Sequence, residues 1–252
     1  MRSAPTPRVR ATPKTAKPAP ATHQHARAAV QALANPAKAR FMAGFFKTGK
    51  GEYAEGDRFL GVMVPQVRQL ARQFHELSLP EAERLLKSPY NEERLLALLI
   101  LSDRYAKGNG STREEICSRY VKNRVRVNNW NLVDSSAPYI LGSHLISANR
   151  ALLYQLVKSR SLWDRRIAVV ATLALIRQNQ FLETLELSRL LLKDPEDLIH
   201  KACGWMLREV GKRNESVLEG FLKKHHASMP RTMLRYAIER FPEAKRKTYL
   251  YV

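Results

Sequence analysis

The sequence predicts an all-α protein, an α-solenoid of stacked helix pairs with a concave basic groove. Three observations carry this. Apolar residues recur at three- and four-residue spacing from Ala26 almost to the C-terminus, the signature of helices with one buried face. No segment alternates apolar and polar residues between hairpin turns. A basic residue also opens an apolar helical segment at Arg94, Arg166, Lys201 and Arg235. The interval is about 35 residues or twice that, the period of a solenoid repeat.

Residues 1–25, MRSAPTPRVRATPKTAKPAPATHQH, are rich in proline, alanine and basic residues. They hold too little apolar surface to fold and are expected to be a disordered basic tail. Residues 26–252 are expected to form a single domain. Its helical segments run RFMAGFF, VRQLARQFHEL, ERLLALLILSDRY, REEICSRYV, LLYQLV, RRIAVVATLALI, FLETLELSRLLL, IHKACGWMLREV, SVLEGFLKK and MLRYAIERF. The breaks between them, such as SLPEAE, KGNGSTREE, SRSLWD, KDPEDL, GKRNES and SMPRT, supply capping Ser, Thr, Asn and Asp or a first-turn proline. GKGEYAEGD, residues 49–57, is glycine-rich, but its three acids would repel phosphate, so a mobile loop joining two helices is expected. The repeat that lacks a basic opener falls on Asn129 and Trp130, in NNWNLVDSSAP. Second helices of solenoid pairs line the concave side, so Arg94, Trp130 or Asp134, Arg166, Trp205 and Arg235 are expected to face a shared groove.

Formal net charge is +20, from 43 Lys and Arg against 23 Asp and Glu. Ten of those basic residues precede the first acid, Glu52, yet the body stays basic with 33 against 23. Such a body attracts polyanions, in a salt-dependent way. Two cysteines, Cys117 and Cys203, make neither a disulfide framework nor a zinc site and fit a reducing compartment. No apolar run reaches the roughly 18 residues of a membrane span. A cytoplasmic monomer with no membrane association is expected, with the tail either a basic arm or an organelle-targeting peptide.

Phosphate-loop, nucleophile-elbow and metal-binding motifs are missing from the sequence, so no metal and no cofactor is expected. What remains is one carboxylate among aromatics and arginines. Trp130 and Asp134 are four apart and share a helix face. A lone carboxylate cannot run two-acid glycosidase chemistry. It can serve a leaving group that is already cationic, by stabilising the positive sugar together with aromatic faces and by orienting or deprotonating a water. Arginines nearby would hold phosphates.

Four stretches, MAGFFKTGKGEYAEGDRFLGVMVPQVRQLAR, WNLVDSSAPYILG, SLWDRRIAVVATLALI and KACGWMLREVGK, resemble the AlkD-type DNA alkylation repair enzymes, from about Phe41 to Phe241. That family consists of alkylpurine DNA glycosylases built of HEAT-like repeats. The resemblance implies hydrolysis of the N-glycosidic bond of cationic alkylated purines, 3-methyladenine and 7-methylguanine, in duplex DNA, without obligatory base flipping. It makes Asp134 the catalytic aspartate, Trp130 and Trp205 its indole neighbours and Arg166 the arginine of the site. Arg165, Arg94, Lys201, Arg235, Phe45 and Met63 are expected DNA contacts. Phe45 and Met63 stand where other members carry a tyrosine and a glutamine. The alternative is a non-catalytic solenoid that binds DNA or an acidic protein.

Overall fold

A computed structural model describes residues 21–250, and among them the regular structure is helical throughout. The single strand-like feature is an isolated bridge between Arg58 and Tyr90. Helix α1 (His23–Gln31) starts at a Thr22 cap, so His23 to His25 belong to the folded body and not to the tail. Residues 1–20 lie outside the described residues. Next come α2 (Pro36–Phe45), α3 (Val64–Gln73), α4 (Leu79–Leu86), α5 (Asn91–Lys107), α6 (Gly110–Lys122) and α7 (Trp130–Asp134). They are followed by α8 (Ala151–Leu156), α9 (Leu162–Arg177), α10 (Leu182–Leu190), α11 (Asp197–Arg213), α12 (Glu215–His225), α13 (Arg231–Ala237) and α14 (Glu243–Leu250). Capping side chains start several of these as the sequence predicts: Ser78 for α4, Asn109 for α6, Ser161 for α9 and Asn214 for α12; Asn129 caps α7 as well.

The packing order shows the solenoid. Helices α3, α5, α7, α9, α11 and α13 each contact the next in that series, while α4, α6, α8, α10 and α12 pack behind them. Trp130, Arg166, Lys201 and Arg235 fall on successive members of the inner row, so the period of about 35 residues is the period of the helix pairs. Leu96, Leu98, Ile100, Leu132, Ile140, Val170, Leu175, Met206 and Leu207 are fully or almost fully buried along this row and form one continuous core.

The inner helix of the central pair is broken. Helix α7 runs only five residues, and after three turn residues the chain continues as a π-helical turn, Pro138–Gly142. Pro138 has no N–H to continue an α-helical ladder, and the Gly142 N–H reaches back to the Ala137 carbonyl at 2.8 Å, an i→i−5 bond. Gly142 is required there, because a Cβ would lie 2.1 Å from the Ala171 carbonyl oxygen of α9. The break brings α9 close and ends α7 at Asp134.

Arg94 does not face the groove. It is 4% exposed and pairs with Asp57 at 2.6 Å. The loop that carries Asp57 lies over the first turn of α5, where a buried guanidinium needs a carboxylate. The loop itself is internally bonded: Glu52 and Glu55 accept from the Gly49 and Gly51 N–H groups, at 2.8 and 2.9 Å. Its acids therefore serve its own backbone amides and Arg94. Glu92 of α5 accepts from the amides of Leu60, Gly61 and Val62, which fixes the end of the loop.

A candidate carboxylate site on the inner helices

Asp134 sits at the end of α7 and receives both arms of Arg166 from α9. Nε lies 3.0 Å from Oδ1 and Nη2 lies 2.8 Å from Oδ2. The remaining arm of Arg166 donates to the Leu198 carbonyl at 2.6 Å, so the guanidinium is locked between α7 and α11. A bidentate fork of this kind fixes the plane of a carboxylate as well as its charge. The Asp134 side chain keeps 22% of its surface exposed, against 6% for Arg166. Burial pushes the Asp134 carboxyl above the ordinary aspartate range, and the opposing pull of Arg166 only partly cancels this.

Trp130 stands one turn before Asp134 and is held from the loop side. The Asn129 side chain accepts from the Trp130 N–H at 2.8 Å, and its amide donates to Asp57 Oδ2 at 2.9 Å. Asp57 thus ties three things together: the loop, α5 through Arg94 and Asn91, and the start of α7. The indole stacks on Phe46, with ring centres 4.9 Å apart, and meets Phe45 edge-on at 6.1 Å.

These groups open on one hollow of about 550 Å³, lined by Phe45, Lys47, Tyr53, Trp130, Asp134, Arg166, Leu198, Lys201, Trp205, Arg208 and Tyr236. Five helices (α2, α7, α9, α11 and α13) and the 47–57 loop contribute. Gly204 lets α11 and α13 close up, since a Cβ there would be 2.6 Å from the Met233 carbonyl, and Trp205 and Tyr236 both line the hollow. Lys201 is held near the rim by Asp197 at 2.8 Å, whose hydrogen bond raises the lysine pKa.

Of the residues singled out in the sequence, the structure therefore gathers Trp130, Asp134, Arg166, Trp205, Lys201 and Phe45. Met63 lies in a neighbouring apolar hollow. Arg235 is on α13 but exposed and outside the hollow. Arg165 is spent elsewhere, since its side chain is 11% exposed and bound to Asp194 at 2.6 Å, a tie between α9 and the segment before α11. Sequence reading missed Tyr53, which reaches the hollow from the loop and meets Trp163 edge-on at 6.1 Å. It also missed Tyr236, one residue after the marked Arg235, and Arg68 and Arg113, which line a further hollow with Ser135 and Tyr139. Among the described residues no group of His, Cys, Asp or Glu is arranged to hold a metal ion, and no helix is long and apolar enough to cross a membrane.

The model of the family described as DNA alkylation repair enzyme matches residues 26–241. A solved structure from Enterococcus faecalis, titled a predicted DNA alkylation repair enzyme, superposes with a TM-score of 0.65. It is 17% identical and covers 84% of this chain and 98% of its own, a likeness of fold. No curated protein matches the sequence.

Proposed function

The chain belongs to the DNA alkylation repair enzyme family, and from that premise we propose that it is a monofunctional glycosylase that releases cationic alkylated purines from duplex DNA. A role in DNA repair follows from the family; the chemistry is read from the site. One observation carries it: a single carboxylate, Asp134, held flat by Arg166 and opening on a hollow walled by Trp130, Trp205 and Tyr53.

An N3- or N7-alkylated purine already carries a positive charge. When its C1′–N bond breaks, the bonding pair passes to the purine and neutralises it, so no acid has to protonate the leaving group. Positive charge develops at C1′ and the ring oxygen of the sugar, and the enzyme has to stabilise it. Asp134 supplies a negative charge and the indole faces of Trp130 and Trp205 a negative quadrupole. A water then attacks C1′ and its proton passes to Asp134. Burial makes this carboxylate a stronger base than an exposed one. Lys201 and Lys47 around the opening suit the flanking phosphates. The damaged base itself need not enter a closed pocket, because the groups that react are aimed at the sugar.

A second reading has an observation of its own. The Arg166–Asp134 pair could be a purely structural tie between α7 and α9 in a non-catalytic DNA binder. Incubation with methylated duplex DNA separates the two. The glycosylase reading expects free 7-methylguanine and 3-methyladenine, with abasic sites left in unbroken strands. DNA binding with no base released would establish the second reading instead.

A further inference from the structure

A second hollow, of about 470 Å³, adjoins the Asp134 site and is walled by Phe41, Phe45, Phe59, Met63, Leu95 and Trp130. Its rim is apolar and open: Phe41 is 72% exposed, Phe45 57% and Met63 44%. Large apolar side chains grouped at a surface mark a binding site, and in this basic protein the carboxylate chemistry leaves this one unused.

We infer that this hollow binds an unstacked nucleobase of the DNA, a neighbour or pairing partner of the nucleotide at Asp134. The inference rests on the reading of the groove as a DNA site. Continuity is the first argument, since Phe45 and Trp130 line both hollows and whatever occupies one adjoins the other. The walls are the second. Phe41 and Phe45 lie nearly parallel, 14° apart with centres at 6.2 Å, and Trp130 stands edge-on to Phe45. Exposed aromatic faces hold bases by stacking, without sequence preference. Third, the floor carries polar groups of the kind a base edge can use. Asn131 exchanges hydrogen bonds with Asn91 at 2.7 and 3.3 Å, which leaves one amide hydrogen and one oxygen lone pair of Asn131 for a ligand. The one acid at the wall, Glu92, is occupied by three backbone amides, and Lys38 at the edge fits a phosphate. The volume suits a base with its sugar and not a partner helix, which would lay several anchors along a longer groove.

The test uses unmodified DNA, so that binding is read apart from base release. Fluorescein-labelled duplexes, one fully paired and one with a single bulged 2-aminopurine, are titrated with the full-length wild type, Phe41→Ala and Met63→Gln. Both substitutions are at exposed positions. The wild type should prefer the bulged duplex by about ten-fold, the size of one base stacked on a ring, and quench its 2-aminopurine emission. Phe41→Ala should erase the preference and the quench while affinity for the paired duplex stays within about two-fold. Equal affinity of the wild type for both duplexes overturns this inference alone, as does a preference that survives Phe41→Ala; Met63→Gln, at the same rim, should weaken the preference. Self-association of the wild type that Phe41→Ala abolishes would make the hollow a contact between copies and overturn it too. Failure to bind either duplex would sink the DNA reading with it.

Discussion

Replacing Asp134 with asparagine removes one charge from the site and almost none of its volume. On the proposed glycosylase reading, a positive sugar centre placed about 4 Å from the carboxylate would gain about 4 kcal/mol at an effective dielectric constant of about 20. The Arg166 guanidinium stands behind the carboxylate. At about 8 Å from the sugar it takes back about 2 kcal/mol on the same scale. In Asp134→Asn the attraction disappears and the repulsion stays, so the loss is the full attractive share of about 4 kcal/mol. At 1.36 kcal/mol per decade this is roughly a thousand-fold in rate. The assay is single-turnover release of 7-methylguanine from methylated duplex DNA with enzyme in excess. Circular dichroism and thermal unfolding are run alongside, because Arg166 loses half of its fork and stability should fall by about 1–3 kcal/mol. A folded Asp134→Asn protein that keeps more than about a tenth of the rate would refute the electrostatic account.

Other consequences follow from the same geometry. Burial raises the Asp134 pKa, so the rate should fall on acidification at a higher pH than an ordinary aspartate would dictate, as a pH–rate profile will show. For stability the sign is the reverse. The native state holds this proton more tightly than the unfolded chain, so the group's destabilising contribution is complete above its folded pKa and is relieved as pH falls from there toward 3.8; urea titrations should show the relief in wild type and not in Asp134→Asn. Trp205→Ala should slow base release by about ten-fold, the worth of one indole face toward a desolvated cation, with DNA affinity little changed by fluorescence anisotropy. Arg94→Met should lower unfolding free energy by about 3–5 kcal/mol in urea titrations, because it strands buried Asp57, while the folded protein binds DNA as before. Gly142→Ala should cost about 3 kcal/mol in the same titration, since its Cβ would collide with the Ala171 carbonyl.

The period of basic residues found the inner helices because each helix pair repeats the same local arrangement, and local arrangement is what spacing encodes. It did not find where those side chains point. Arg94 and Arg166 both begin apolar helices, yet one is buried against a loop aspartate 37 positions upstream and the other faces the site. The partner that decides the matter is distant in sequence, so no window of spacing contains it. For the same reason NEER at residues 91–94 looks like a solvated helix start, whereas all four side chains are buried: Asn91, Glu92 and Arg94 bond to the 57–62 segment and Glu93 to Arg27 and Gln31 of α1. Tyr53 escaped notice because loop residues carry no period. Trp130 and Asp134 were legible because four-residue spacing survives inside even a five-residue helix.

The Arg166–Asp134 pair is one of several arginine–aspartate ties, and comparison among them separates structure from chemistry. Arg94–Asp57, Arg124–Asp164, Arg165–Asp194 and Arg166–Asp134 each join segments 29 to 40 residues apart, about one repeat of the solenoid. All four can hold neighbouring helix pairs in register. In the first three the aspartate side chain is 1%, 12% and 4% exposed; Asp57 and Asp194 satisfy buried guanidiniums out of water, while Asp164 meets an Arg124 that is itself 40% exposed. Asp134 is 22% exposed, while its arginine is nearly as buried as Arg94. A tie needed only for packing would gain from covering that carboxylate, and the helix does the opposite. It stops at Asp134, gives way to a π-helical turn, and leaves the acid facing a hollow lined with aromatic rings. The arginine then has two effects at once: it holds the plane of the carboxylate, and it keeps a raised pKa from rising further. Exposure of the acid combined with burial of its base is the feature a structural role leaves unaccounted for, and the one a developing positive charge in the hollow would use.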